Sequence, residues 1–88
     1  MKTGTTSSGF AYSLEDDVLD DYELLEMLCE IDEGKNSLII KVAKQLLGEK
    51  QLESLKEHVR NEKGKVSVLK MSEEISQILN GDEEGKNL

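Results

Sequence analysis

The stretch "NSLIIKVAKQLLGEKQLESLKEHVRN", residues 36–61, decides the fold. Leu38, Ile39, Val42, Ala43, Leu46 and Leu47 fall into two adjacent rows at i, i+4 spacing, the pattern of a helix buried along one broad face. Asn36 precedes them as a cap. Gly48 then interrupts the pattern, as glycine commonly does at a helix end, and Leu52, Leu55 and Val59 resume it on one narrow stripe. The stretch thus predicts two helices, about 37–47 and 49–60, the second showing much of its surface to water.

Toward the N-terminus, "LDDYELLEMLCEIDEG" (19–34) opens on a capping box, with Asp20 as cap, Glu23 three residues on, and Leu19 and Leu24 flanking them as a staple. Leu24, Leu25, Leu28 and Ile31 recur on one side of this helix and Glu23, Glu26, Glu30 and Glu33 on another, until Gly34 ends it. Glu30, Asp32 and Glu33 crowd a helix C-terminus, where the macrodipole opposes negative charge, so a cation from Lys35, Lys41 or Lys44 is expected nearby. Before this helix, Phe10, Tyr12 and Leu14 alternate at period two, which reads as an extended arm or one short strand. Three fates are open to that arm: pairing with another subunit, lying over the helices, or disorder.

Toward the C-terminus, "NEKGK" (61–65) is a turn, and Ser67 caps a fourth helix. Val66 and Met71 form its staple, and Val68, Met71, Ile75, Ile78 and Leu79 its apolar face. Gly81 closes it, and "DEEGKNL" (82–88) has charge but no periodicity. The expected fold is all-α: a small bundle of about four short helices over 15–80, an extended or single-strand N-terminal arm over 1–14, and a disordered C-terminal tail over 81–88.

A chain of 88 residues has room for one thin core. With no Pro or Trp and three aromatics, that core is built from Leu, Ile, Val and Met, which favours helices. The net charge of −8 opposes binding to nucleic acid and to anionic membranes. Charge is also zoned: residues 1–34 hold ten acids and one base (−9), residues 35–72 nine bases and four acids (+5), and residues 73–88 sum to −4. One cysteine allows no internal disulfide, no secretory leader is visible, and no apolar run approaches the ~18 residues of a membrane span, so a cytoplasmic setting is expected.

The candidate chemistries are weak. Asp32, Gly34 and Asn36 alternate as in a calcium loop, but the twelfth position from Asp32 is Ala43, where a bidentate Glu is needed. The cluster Asp16, Asp17, Asp20 and Asp21 is explained by turns and caps, and one Cys with one His cannot build a zinc site. Cys29 and His58 are the available nucleophile and base, and an acid-rich helix leaves that thiol inert. A helix-turn-helix reading of 37–60 fails on the mixed charge of its second helix, "EKQLE". No catalytic, metal or cofactor site follows.

Taken together, "SSGFAYSL", "LDDYELLEMLCEID", "LLGEKQLESLKEHVRNEKGKV" and "EEISQILN" resemble the tail assembly chaperones encoded by long-tailed phages and prophages of Gram-positive bacteria. The resemblance covers roughly residues 7–80. It implies a non-catalytic protein of the host cytoplasm, absent from the finished virion, that coats the tape measure protein and helps recruit the major tail protein. It also implies a longer form made by programmed frameshifting, for which Gly85, Lys86 and Asn87 would be encoded by a slippery GGA-AAA-AAC.

A chaperone for a long helix needs an apolar groove with a charged rim. Met27, Ile40, Leu69 and Met71 are the apolar side chains in excess of the core and are the candidate contacts; the alternative is that they pack within the domain or a homodimer. The rival function is a small acidic regulator or nucleic-acid mimic, in which Asp16, Asp17, Asp20, Asp21, Glu23, Glu26, Glu30 and Glu33 imitate phosphates on a basic partner.

Overall fold

A computed structural model describes residues 1–86, with side chains to residue 80. Its elements are β1 (Lys2–Thr5), β2 (Ala11–Leu14), α1 (Tyr22–Asp32), α2 (Leu38–Val59) and α3 (Val68–Lys86). The all-α expectation of four helices is corrected on two counts: the described residues form three helices, and the N-terminal arm is a two-stranded antiparallel sheet.

The first correction turns on Gly48, which sits inside α2 at φ 76 and ψ 167. A glycine ends a helix when the chain then leaves the axis for a loop. Here Glu49 resumes the helix directly, so the two expected helices are the halves of one kinked element. That backbone region is held cheaply only by glycine. The kinked turn leaves the Leu47 carbonyl to accept from Gln51 Nε2 at 3.1 Å.

The second correction turns on a strand that carries no apolar alternation. Lys2, Thr3, Gly4 and Thr5 pair with Leu14, Ser13, Tyr12 and Ala11 respectively. The turn between them closes through Thr6 N–H to the Phe10 carbonyl (2.9 Å) and Gly9 N–H to the Thr6 carbonyl (3.0 Å). Gly4 lies so close to the Tyr12 ring that any Cβ there would collide with it. Of the three open fates of the arm, the chain takes the second and lies over the helices, and it does so as a hairpin paired with itself, an arrangement not among them. Phe10 and Leu14 are buried with the helical core and Tyr12 packs against it, as period two demands.

The hairpin is tied down by a side chain that imitates a strand. Gln51 accepts from Ser13 N–H at 2.6 Å and donates from Nε2 to the Ser13 carbonyl at 2.9 Å. The core beneath it centres on Leu24, Val42, Leu55, Ile75 and Ile78.

Helix ends show how local chemistry settles boundaries. Asp21, rather than Asp20, caps α1: its Oδ1 accepts from Glu23 N–H (2.9 Å) and Leu24 N–H (3.2 Å), while Asp20 N–H closes a turn onto the Asp17 carbonyl. At the other end Lys35 N–H reaches the Glu30 carbonyl and Gly34 N–H the Ile31 carbonyl, a Schellman closure. The expected cation at this C-terminus is Lys35, 3.5 Å from Glu30. Ser37 stands at the N-cap of α2 without a side-chain cap bond, so Asn36 does not cap it. Ser67 does cap α3, accepting from Lys70 N–H at 3.2 Å. The helix α3 runs past Gly81, the residue expected to end it. The side chains of 81–86 and residues 87–88, where a disordered tail was expected, lie outside the described residues.

Gly48→Ala should lower the free energy of unfolding by about 1–3 kcal/mol, because the kinked backbone penalises any Cβ. Urea denaturation checks this, with Ser54→Ala, an exposed position on the same helix, staying within about 0.5 kcal/mol of the parent.

Candidate functional site

The two halves of α2 diverge from Gly48 and meet the first turns of α3 around a groove of about 580 Å³. Ile39 and Ala43 come from the first half of α2, Leu52 from the second, Val66 from the loop, and Met71 and Ile75 from α3. At its edge Ile40 stays 58% and Val68 77% exposed, an apolar lip to the groove, although Tyr22, Leu25 and Leu69 are also exposed elsewhere on the surface. Two lysines, Lys44 and Lys56, complete the lining together with Asn36, Ser37 and Ser72. The loop that presents Val66 is held by Arg60, whose Nη1 donates to the Gly64 carbonyl at 2.8 Å. Arg60 also binds Glu57 at 3.0 Å; by hydrogen bond and charge it holds the Glu57 carboxyl below the ordinary carboxylate range, and its own pKa is raised in turn. This pair is open to solvent and orients the loop more than it stabilises it.

Of the four candidate contacts named from the sequence, the structure brings Ile40 and Met71 into this groove. Leu69, 70% exposed, lies on the first turn of α3 outside the lining. Met27 is on α1, half-buried against the core. Val68, Ile39 and Val66 were missed as contacts because helical spacing had assigned them to a core face or a staple.

A second constellation was not legible in the sequence. Glu74 is 5% exposed and accepts from Thr6 Oγ1 at 2.7 Å and from Ser8 Oγ at 3.0 Å. The Ser8 hydroxyl also lies 3.0 Å from His58 Nε2, and the His58 ring meets Phe10 at 5.5 Å between centroids. A serine, a histidine and a carboxylate are thus in contact, with the Ser8 hydroxyl donating to Glu74 and meeting His58 Nε2, whose role as donor or acceptor follows its tautomer. The cluster is a clasp: with Gln77 Oε1 accepting from Ser7 N–H at 2.7 Å, it fastens the hairpin turn to α2 and α3. Of the sequence-derived pair, Cys29 is exposed on α1, and His58 lies against Ser8 and Phe10 of the hairpin.

Among the described residues no helix is long and apolar enough to cross a membrane, and no group of three or more His, Cys, Asp or Glu side chains gathers to hold a metal ion. No known protein family, curated protein or solved structure matches this chain. Its reading rests on its own geometry.

Glu74→Ala should cost about 1–3 kcal/mol by stranding the Thr6 and Ser8 hydroxyls at the hairpin turn. Hydrogen exchange of the Thr6 and Gly9 amides should accelerate more than that of α1, and Glu74→Gln, which keeps one acceptor, should show the smaller effect.

Proposed function

We propose that this protein is a non-catalytic tail assembly chaperone of a long-tailed phage or prophage of Gram-positive bacteria. It acts in the host cytoplasm, holds a helix of the tape measure protein in the α2/α3 groove, and helps recruit the major tail protein. The observation that supports this reading is the apolar groove with its exposed lip at Ile40 and Val68, which matches what an amphipathic helix requires of its host. Burying such a lip contributes roughly 25 cal/mol per Å² of apolar surface removed from water, so a few large side chains suffice to favour association.

The rival reading, an acidic regulator or nucleic-acid mimic, requires a free row of carboxylates. Three of the eight are engaged within the molecule. Asp16 lies 2.7 Å from the terminal ammonium, which holds its pKa below the ordinary value; Asp21 caps α1; and Glu30 pairs with Lys35. The groove is therefore the better-supported functional surface.

Co-expression with the tape measure protein of the same gene cluster should yield a complex that survives moderate salt, since apolar burial is screened little. Ile40→Glu should weaken that complex at least tenfold while leaving thermal stability near the parent's, as the side chain is exposed. A folded protein that ignores the tape measure protein, or one whose binding is indifferent to Ile40→Glu, would overturn the proposal. A slippery heptamer over codons 85–87 with an overlapping −1 frame would support it from the gene.

A further inference from the structure

We infer that the helix accepted by this groove comes from another kind of chain and carries carboxylates along both flanks of its apolar stripe. The inference rests on the groove being the binding surface and goes on to specify the chemistry of its occupant.

The charge of the lining carries the argument. Lys44 and Lys56 are its charged residues, and no Asp or Glu lies among them. Each comes from a different half of α2, one on either side of the Gly48 kink. Lys44 has no ion pair among the described residues; Lys56 is met by Glu53 at 3.1 Å, an exposed i, i+3 pair that a competing carboxylate can replace at little cost. Lysine stems lie along apolar walls while their heads stay in water at the rim, where the flanks of a docked helix pass.

The wider field points the same way. The groove belongs to the +5 zone of a −8 molecule, whereas α1 and the segment before it carry the −9 zone. A basic helix would be drawn away from the groove toward α1, and a helix with acidic flanks is repelled by α1 and drawn to the basic segment 35–72 that supplies the groove's two lysines. Charge thus selects the face of approach as well as the partner. The chain's own acidic end cannot be the occupant, because residues 81–88 offer a single large apolar side chain, Leu88, where a groove-binding stripe needs apolar groups at i, i+3 or i+4, and i+7.

The test uses the full chain and three labelled helical peptides with one common leucine stripe and flanks of Glu, Gln or Lys, read by fluorescence anisotropy. Affinity should fall in the order Glu, Gln, Lys, with about two- to thirtyfold between the Glu and Gln peptides at low salt for two exposed ion pairs. The double variant Lys44→Glu with Lys56→Glu, whose substitutions leave the buried core untouched, should invert the order. Equal affinities, or an order the double variant does not change, would overturn the inference. So would a concentration-dependent dimer in sedimentation that the double variant dissolves, since the groove would then belong to α1 of a second copy. The outcome is separable from that of the proposed function: the peptide order can hold while the tape measure protein fails to bind, and the tape measure protein can bind with no regard to flank charge.

Discussion

The backbone of Gly48, at φ 76 and ψ 167, is the constraint on which the rest of this small molecule depends. A straight helix of the length of α2 would present one continuous face. The kink redirects the second half, so that Leu52 and Lys56 join Ile39, Ala43 and Lys44 around a single groove, while Leu46, Leu47, Leu52 and Leu55 still reach the core. It also opens the turn in which Gln51 takes up the Leu47 carbonyl and the edge of β2 together. Groove, core and hairpin attachment all pass through one residue without a side chain.

Around that kink the chain divides its polar groups between two tasks. Glu74, Thr6, Ser8 and Gln77 fasten the hairpin turn through hydrogen bonds to one another and to the backbone. The lysines at the groove, Lys44 and Lys56, are instead part of its lining.

The parts legible in the sequence were those governed by neighbours a few residues apart. The Ser67 cap, the Schellman closure at Gly34, the partnership of Lys35 with Glu30 and the period-two face of Phe10, Tyr12 and Leu14 are all set within one or two turns of chain. The shift of the α1 cap from Asp20 to Asp21 has the same origin, because two adjacent aspartates offer equal caps and the preceding turn chose between them. β1 was illegible because Lys2, Thr3, Gly4 and Thr5 carry no pattern of their own, and a strand of this kind is defined by the partner that satisfies its amides.

By itself, then, the sequence determined the helical segments, much of their buried faces (Leu25 and Val68, placed on those faces, are exposed), the break at Gly48 and the zoning of charge, since each follows from spacing and side-chain chemistry along the chain. Only the tertiary structure decided that the break is a kink within one helix, that the N-terminal residues pair with themselves, that Glu74 closes a clasp across more than sixty residues of chain, and that Ile40 and Met71 share a groove while Met27 and Leu69 do not. The reason is physical. Local rules fix which way a side chain faces on its own element, but what it meets depends on how elements from distant parts of the chain are set against one another.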